Sequence, residues 1–262
     1  MKYTLKFCLT LILLFSCQLL SAQIFTDRPN QTDAIQLLPK GFFQVELGYM
    51  RNIERLEGSF DQFNLRTNTA PNVSIKYGLS DRVEVRVLFN YITLSSRIDG
   101  NTFRQDDGVS PITLSPKFFL FEQKGILPKT TFVANLTFPS VGSEQFQVQD
   151  LNYGFRFLME NATGKSSIAY GIGLDVADNG ETAGAYSITY GYPITDKLGS
   201  FVEFFGFLPG EAQSTHTFDF GLTYLIIDSI QIDVSYGIGL NERSFDNFIS
   251  TGIAWGINTR KN

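Results

Sequence analysis

Hydrophobic and polar residues alternate with a period of two along most of this chain. In the clearest run, Ile230–Leu240, every even-numbered position is apolar or aromatic and every odd-numbered position is polar or glycine. Since successive side chains of a β-strand point to opposite faces, the run predicts a strand with one apolar face. A tilted strand needs roughly 9–11 residues to cross the hydrocarbon core of a bilayer, whereas strands of soluble proteins average about 5–6. The length of the run therefore favours a strand that spans a membrane.

Twelve runs of this kind, with turn residues between them, predict an all-β fold in which the strands form one antiparallel transmembrane β-barrel. Charged residues within the runs, such as Arg86 and Asp219, lie opposite the apolar face. That face would line the lumen of a barrel, and it would meet solvent in a soluble β-sandwich, which is the alternative architecture. The predicted strands cover residues 42–51, 65–77, 83–94, 110–121, 129–138, 148–160, 166–176, 184–194, 200–208, 216–226, 230–240 and 248–257.

Two kinds of connection alternate between the predicted strands, as periplasmic turns and extracellular loops do in outer-membrane barrels. The tight turns lie at residues 78–81, 122–128, 161–165, 195–199 and 227–229. The more polar connections lie at residues 95–108, 139–147, 177–182, 209–215 and 241–247. The alternation favours the barrel over the sandwich, and the even number of strands leaves both termini on the periplasmic side.

The last predicted strand has a second property of outer-membrane barrels. Ser250–Ile257 carries polar, glycine, aromatic and apolar residues at spacings that resemble the C-terminal signal read by barrel-assembly machinery. Such signals often end on an aromatic residue, whereas here Thr259–Asn262 follows. A barrel needs this strand to close its sheet, because an open edge is not tolerated in lipid. We therefore expect outer-membrane lipids as surroundings and the assembly machinery as a partner during biogenesis.

The first 22 residues have the pattern of a secretory signal peptide, with a basic start, an apolar run of about 14 residues and small residues before a cleavage site after Ala22. This run is shorter than the roughly 20 residues of a transmembrane helix. In an alternative interpretation, a lipobox makes Cys17 the lipidated first residue. We divide the chain into a signal peptide at 1–22, an N-terminal extension at 23–41 and a barrel at 42–262. The expected location is the bacterial outer membrane.

Composition and motifs narrow the range of functions. The two cysteines of the sequence, Cys8 and Cys17, lie in the predicted signal peptide, so we expect no disulfide in the exported chain. The sequence has 26 acidic and 21 basic residues, which argues against a nucleic-acid partner. The acidic stretches Asp106–Asp107 and Asp178–Glu181 could bind a divalent cation, but their spacing fits no EF-hand loop. We expect no cofactor and no metal.

The residue pattern gives little basis for a catalytic site. The one histidine, His216, follows Ser214 and Thr215, and direct neighbours on a strand point to opposite faces. A lipid hydrolase would require a nucleophile and a base within hydrogen-bonding reach of each other. We therefore expect that the protein is not an enzyme.

The alternation also assigns residues to the lumen. Because both signs of charge point inward in a narrow barrel, we expect ion pairs across the lumen, and inward Phe119 and Phe121 to narrow it further. The residues predicted to face inward are Glu84, Arg86, Lys117, Asn135, Asp150, Arg156, Glu160, Asp175, Asp219 and Asp233.

Three charged residues, Asp27, Arg28 and Asp33, precede the first predicted strand. One hypothesis makes this segment an inward-folded plug, or a clamp on the barrel base, whose charges pair with lumen residues such as Arg86 or Glu84. The alternative is a solvated periplasmic tail. A buried charge needs a partner wherever it lies, which favours the plug or clamp over a substrate-binding site.

Four further stretches of the sequence are Thr26–Thr32 (TDRPNQT), Leu38–Gly48 (LPKGFFQVELG), Tyr77–Arg86 (YGLSDRVEVR) and Ser110–Lys117 (SPITLSPK). Together they resemble the family of the meta-pathway of phenol degradation, whose members are outer-membrane barrels described as transporters. The resemblance implies a passive channel or transporter for small hydrophobic or aromatic molecules. Two other functions stay open at this point: a structural or partner-binding barrel with a sealed lumen, and a lipid hydrolase in the membrane.

Overall fold

The computed structural model describes residues 24–55 and 63–260. The predicted signal peptide, its cleavage site and the alternative lipidation site at Cys17 lie outside the described residues. Between them, the two described ranges contain no helix long and apolar enough to cross a bilayer. They form thirteen strands and one 3-10 turn at Glu144–Phe146. The strands are β1 (Phe42–Arg55), β2 (Phe63–Ser80), β3 (Val83–Ile98), β4 (Asn101–Val109), β5 (Thr113–Phe121), β6 (Lys129–Thr137), β7 (Asn152–Thr163), β8 (Ser166–Val176), β9 (Thr182–Pro193), β10 (Leu198–Pro209), β11 (Thr215–Ile227), β12 (Ile230–Gly239) and β13 (Asn247–Asn258).

The strands close into a single antiparallel barrel. Strand β1 pairs with β13 from Phe42 opposite Asn258 to Ile53 opposite Asn247, so the first and last strands form the seam. Strand β5 pairs with the first half of β3, Val83–Leu88, and β4 pairs with its second half, Tyr91–Ile98. Together, β4 and β5 therefore make one crossing of the wall. The wall therefore has twelve crossings, and the predicted fold and strand number are confirmed. Closure through the β1–β13 seam leaves no open edge among the twelve crossings, as a hydrocarbon surrounding requires.

One predicted connection is wrong. The sequence predicts an extracellular loop at residues 95–108, but these residues belong to a hairpin of β3 and β4 whose turn lies at Asp99–Gly100. Asp99 and Gly100 both have positive φ, which suits a tight hairpin turn. Because Arg104, Asp106 and Asp107 are polar, their residue types alone indicate a loop, whereas pairing with β3 makes them strand residues.

The barrel is polar inside and apolar outside, the reverse of a soluble domain. Its largest fully buried side chains include Arg86, Lys76 and Lys117. Aromatic side chains such as Phe204 and Tyr224 are exposed by 47% and 45% on the outer wall. Water cannot solvate such a surface favourably over this area, whereas lipid can. The pattern supports the membrane barrel and not the soluble sandwich.

Two residues do not take the inward position that alternation predicts. Asp150 is exposed in the connection before β7, because that strand begins only at Asn152. Phe121 follows a β-bulge after Phe119, which interrupts the alternation, and it is 49% exposed. Phe119 lies at the turn end of β5 with Arg82 and Lys129 over its ring. The N-terminal segment, and not a pair of inward phenylalanines, narrows the lumen.

Candidate functional site

The candidate site is the N-terminal segment, residues 24–41, together with the lumen residues that hold it. Lys117 on β5 contacts Asp27, and Glu203 on β10 contacts Gln31 and Thr32, so the segment reaches two separate parts of the wall. Leu38 is completely buried, and Ile35 is buried with Val133 and Leu158 of the wall. The segment therefore packs inside the barrel and crosses the lumen.

Asp27 is the centre of the strongest charge cluster in this site. Its carboxylate lies 2.8 Å from Lys76 Nζ, 2.9 Å from Arg86 Nη1 and 3.1 Å from Lys117 Nζ. These cations come from β2, β3 and β5, so one carboxylate joins three crossings of the wall. Glu46 on β1 adds a second acceptor for Lys76 at 2.9 Å and accepts a hydrogen bond from the Asp27 backbone N–H. Alternation within β1 and β2 places Glu46 and Lys76 inward, although neither was singled out from the sequence.

Electrostatics keep Asp27 ionised. Burial alone raises the pKa of its carboxyl, but the charges of Lys117, Lys76 and Arg86 outweigh burial and hold the pKa well below its usual value. Asp27 therefore stays ionised at neutral pH. Such a cluster is stable only while all of its members are present, because each buried charge compensates the others.

A pH dependence follows from the lowered pKa of Asp27. An unfolded aspartate has a pKa of about 3.9, and a carboxyl whose folded pKa is lower stabilises the fold above that pH. We expect the contribution of Asp27 to the unfolding free energy to stay constant from pH 7 to about 5 and to decline only below about pH 4. Urea unfolding in detergent, followed by Trp255 fluorescence and compared with Asp27→Asn, measures this contribution. A decline already between about pH 6 and 5 would contradict the charged cluster.

Two further carboxylates hold the same half of the segment. Asp33 lies 2.8 Å from Arg86 Nη1, so Arg86 pairs with both aspartates of the segment. Glu84 accepts a hydrogen bond of 2.7 Å from the Leu38 backbone N–H and lies 3.8 Å from Lys117 Nζ. The structure thus brings Asp27, Asp33, Glu84, Arg86 and Lys117 together in one cluster.

Arg28 points away from this cluster, to the seam. Its guanidinium donates hydrogen bonds to Ser250 Oγ at 2.8 Å and to the Thr251 carbonyl at 3.0 Å, and it lies 3.3 Å from the Asp233 carboxylate. It also lies against Gly48 on β1 and Gly252 on β13, which are directly opposite each other. A Cβ at Gly48 would lie 2.1 Å from Arg28 Nη1, so only glycine leaves room for the guanidinium.

The glycine at position 48 provides a test of this contact. We expect Gly48→Ala to displace Arg28, leave Asp233 without its cation and lower the unfolding free energy by about 1–3 kcal/mol. Thermal unfolding in detergent measures the change. Gly184→Ala is the matched control, since a Cβ there would lie 3.5 Å from its nearest neighbour, an ordinary contact. Equal melting temperatures for both variants would contradict the proposed seat for Arg28.

Glu203 holds the middle of the segment on the other part of the wall. It accepts hydrogen bonds from the backbone N–H groups of Gln31 at 2.6 Å and Thr32 at 2.9 Å, and from the hydroxyls of Thr32 at 2.5 Å and Thr189 at 2.6 Å. Both carboxylate oxygens are thus used by the segment. Glu203 was not predicted, because its run, Phe201–Leu208, is apolar on both faces and gives no clear facing.

Asp219 lies beside Glu203 but has no such role. The two are directly opposite each other on β10 and β11, and both are completely buried. Neither carboxylate oxygen of Asp219 has a hydrogen-bond partner among the described residues. Two buried carboxyl groups that face each other do not both ionise without cost, so the charged form of Asp219 is disfavoured at this place in the wall.

Among the remaining predicted residues, Arg156, Asp175 and Asn135 do not touch the segment's charges. Arg156 pairs with Asp175 at 2.5 Å, and Asn135 accepts a hydrogen bond from Ser115. Glu160 accepts a hydrogen bond from Gln36 at 3.0 Å and so belongs to the segment's surroundings. Over residues 24–55 and 63–260, no group of three or more His, Cys, Asp or Glu side chains is arranged to hold a metal ion.

Cavities lie on both sides of the segment. One of about 470 Å³ reaches from Asp27 and Gln31 to Phe89 and Pro111, and one of about 220 Å³ is lined by Arg86, Arg156 and Phe207. A third, of about 280 Å³, continues from Asn30 towards Pro193. The fourth, of about 470 Å³, lies at the turn end of the barrel beside Ile24 and Asp196. Neighbouring cavities share lining residues, and residues 28–33 of the segment lie between the first and the third.

Solved structures with the same fold are outer-membrane barrels. The COG4313 outer membrane channel from Pseudomonas putida F1 has a TM-score of 0.67 at 14% identity, over 87% of this chain and 99% of that chain. The translocator domain of the autotransporter NalP from Neisseria meningitidis has a TM-score of 0.54 at 10% identity, over 82% and 88%. The NanC porin has a TM-score of 0.51 at 11% identity, over 81% and 98%. At these identities the likeness establishes the barrel fold.

Sequence comparison assigns the family. No curated protein sequence matches this chain. Residues 26–256 match the family described as "Putative MetA-pathway of phenol degradation". The match begins at the charged residues of the N-terminal segment and ends in the last strand of the barrel. Since it spans most of the chain, the protein belongs to this family.

Proposed function

We propose that this protein is a passive outer-membrane channel for small apolar molecules in which the N-terminal segment is the plug. The observation that carries the proposal is the row of cavities on both sides of residues 28–33, in a lumen that is otherwise filled. Moving this short stretch would join the cavities into one path. A barrel built only as a structural element would need neither the cavities nor a removable segment between them.

The lining of the outer cavities supports an apolar solute. Beside charged residues, the cavity of about 470 Å³ is lined by Met50, Val73, Leu88 and Phe89. Apolar side chains combined with a few polar groups are typical of sites for small molecules. The family description, which refers to phenol degradation, agrees with a small aromatic solute.

The location in the proposal is the bacterial outer membrane, reached by export and insertion by the barrel-assembly machinery. The apolar outer wall supports lipid as its surroundings, and the charged lumen is shielded from it. The division into an extension at 23–41 and a barrel from residue 42 is supported by the start of β1 at Phe42.

Solute uptake tests the proposed function. Outer-membrane vesicles with a lipopolysaccharide leaflet, which slows apolar solutes, are prepared with and without the protein. N-phenyl-1-naphthylamine is the probe, because this apolar aromatic amine becomes fluorescent in hydrocarbon. We expect faster uptake with the protein, and planar-bilayer conductance of ions that increases when residues 24–36 are deleted. Vesicles that take up the probe equally fast with and without the protein would overturn the channel.

The ion pairs of the segment favour one alternative, a barrel with a permanently sealed lumen. The same deletion separates the two functions, because a sealed structural barrel has no reason to show uptake of the probe before the segment is removed. Uptake by the intact protein supports the channel, and uptake by the deletion variant alone supports the sealed barrel.

The hydrolase hypothesis has no support in the geometry around His216. Its Nδ1 atom lies 2.7 Å from the Tyr186 hydroxyl, and its backbone N–H donates to Ser244 Oγ at 2.8 Å. We expect that neither the wild type nor His216→Ala hydrolyses lipid, and that the substitution leaves solute uptake unchanged. Release of fatty acid from vesicles by the wild type, and its loss in the variant, would contradict this expectation.

A further inference from the structure

Strands β1, β2 and β3 continue beyond the part of the barrel that a bilayer covers. Strands β2 and β3 have 18 and 16 residues, whereas about 9–11 residues suffice for a tilted strand to cross the hydrocarbon core. The two strands are joined at residues 81–82 by one of the tight turns, which lie at the periplasmic end. Their surplus residues therefore stand at the extracellular end, among the lipid head groups and above them.

Arginines at this end of the barrel point away from the lumen. Arg97 is an odd number of residues from the lumen-facing Arg86 along β3, whose backbone has no bulge of its own, so it lies on the outer face. Arg51 has the same relation to the lumen-facing Glu46 on β1, which pairs with β13 in unbroken register. The outer surface, which is apolar along the membrane, therefore becomes cationic here.

Arg66 on β2 lies between these two arginines. It is directly opposite Ile53 of β1 and Ser95 of β3, which stand two places from Arg51 and from Arg97 along their strands. Residues directly opposite each other share one face of a sheet, so Arg66 also points outward. Diagonal neighbours of this kind are about 7–8 Å apart. The three arginines thus form one surface, which we call the arginine patch.

The central arginine of the patch is surrounded by charge of its own sign. Burial and the like charges of Arg97 and Arg51 lower the pKa of the Arg66 guanidinium, and no carboxylate of the described residues acts on it. The Nε atoms of Arg66 and Arg97 are buried and have no hydrogen-bond partner within residues 24–55 and 63–260. Buried donors without a partner cost free energy, which a bound anion would offset.

Three carboxylates at the same end of the barrel have other partners. Asp246 pairs with Arg55 at 3.7 Å, and Asp106 pairs with Arg104 at 2.9 Å. The Asp107 carboxylate accepts a hydrogen bond from a tyrosine hydroxyl. These acidic groups therefore do little to balance the arginine patch.

Neutral groups hold the two outer members of the patch. Arg51 Nε donates a hydrogen bond of 2.8 Å to Asn68 Oδ1, and its guanidinium lies 5.8 Å from the centre of the Tyr49 ring. The Arg97 guanidinium donates to the Gly100 carbonyl. Since a guanidinium carries five N–H donors, these contacts position the side chains and leave donors for a ligand.

The patch begins at the boundary of the hydrocarbon layer. Tyr49 and Tyr91 point outward on β1 and β3, each on the membrane side of the arginine of its own strand. Aromatic side chains of this kind mark the membrane–water interface of outer-membrane barrels. Below Tyr49, Leu47 is exposed towards lipid. A lipid molecule beside these strands would lay its acyl chains on the apolar wall and its head group on the arginines.

We propose that the arginine patch, formed by Arg51, Arg66 and Arg97, binds the phosphate groups of lipopolysaccharide in the outer leaflet. Phosphate has the negative charge and the acceptor oxygens that guanidinium groups bind in pairs of hydrogen bonds. Lipopolysaccharide carries phosphates on its lipid anchor, at the level where the patch begins. The site lies on the outer surface, so it is independent of the lumen, the plug and the solute.

Binding of lipid A tests the site. The purified protein in detergent is titrated with diphosphoryl lipid A, and the dissociation constant is measured by microscale thermophoresis. At about fivefold for each basic residue at a membrane surface, we expect about fivefold weaker binding by Arg66→Gln and about a hundredfold weaker binding by the variant with all three arginines replaced by glutamine. Arg104→Gln is the matched control, because Arg104 lies at the same end and is paired with Asp106. It should bind as the wild type does.

Melting temperatures separate loss of the site from loss of the fold. Without lipid A, we expect Arg66→Gln to melt no lower than the wild type, because the substitution removes a like charge. Lipid A should raise the melting temperature of the wild type and leave that of the triple variant unchanged.

Three results would overturn the site. Equal affinities of the wild type and the triple variant would show that the arginines do not bind the lipid. Equal affinity of the wild type for lipid A and for its phosphate-free form would show that phosphate is not recognised. Displacement of lipid A by inorganic phosphate at equal concentration would indicate a site for a free anion instead of a lipid.

Discussion

Replacing Asp27 with asparagine is expected to release the plug and give a barrel that conducts ions. The substitution preserves shape but removes the one carboxylate shared by Lys76, Arg86 and Lys117. Removing one partner of a buried ion pair costs up to about 3–5 kcal/mol when the opposite charge stays uncompensated. Here Lys76, Arg86 and Lys117 lose their shared partner but keep Glu46, Asp33 and Glu84, so the cost is smaller. Undocking the segment lets water reach these cations, so the undocked state gains relative to the docked one. Since about 1.4 kcal/mol is tenfold in an equilibrium, the undocked fraction should rise by roughly ten- to a hundredfold.

Single-channel recording in planar bilayers measures this fraction as the time spent in the conducting state. Asp246→Asn is the matched control, because Asp246 pairs with Arg55 at 3.7 Å on the surface, where an ion pair contributes about 0–1 kcal/mol. Its recordings should equal those of the wild type. A closed Asp27→Asn barrel with unchanged melting temperature would show that the cluster does not hold the segment.

Replacing Asp219 with asparagine is expected to have the opposite effect on stability. We expect it to raise the unfolding free energy of the barrel by about 1–3 kcal/mol. Asp219 has no hydrogen-bond partner among the described residues and lies directly opposite Glu203, a second buried carboxylate. Asparagine removes the like charge, and its amide can donate to Glu203. The substitution breaks no ion pair, because the groups that act on Asp219 in the described part of the chain include no cation.

Urea unfolding at pH 9 measures the change in unfolding free energy. At this pH the carboxyl groups of Asp219 and Glu203 are both ionised in the unfolded chain. Asp233→Asn provides the control on the neighbouring strand, because Asp233 is paired with Arg28 at 3.3 Å. This variant should lose stability where Asp219→Asn gains it. Two variants that both destabilise would indicate that Asp219 has a partner in solution.

Alternation along the chain was sufficient to predict the barrel because most wall residues obey one local rule. A strand residue faces lipid or lumen according to whether it stands at an odd or an even position of the alternation. This rule alone predicts that Arg86, Lys117 and Asp233 face the lumen. The rule fails where both faces carry similar residues, as around Glu203. It also fails at a β-bulge, as after Phe119, where an extra residue reverses the facing.

Other features depend on contacts that are distant in sequence. Residues 95–108 are polar enough for a loop, yet pairing with β3 extends them into a hairpin above the membrane. The partners of Asp27 lie on three strands, and residue types could indicate that its charge needs compensation but not by which cations. The alternation of side chains could have placed Glu46 and Lys76 in the lumen. That they lie beside Asp27 could be recognised only from the position of the N-terminal segment in the structure.

The seat of Arg28 fixes an order of events during assembly. Its binding groups come from β12 and β13, and its guanidinium lies on a pair of glycines contributed by the first and last strands. This seat does not exist until the seam has closed. The N-terminal segment is synthesised first but can complete its docking only last, so a docked Arg28 marks a finished barrel. A chain that stalls before closure would leave the segment, with its charges, accessible to periplasmic proteases.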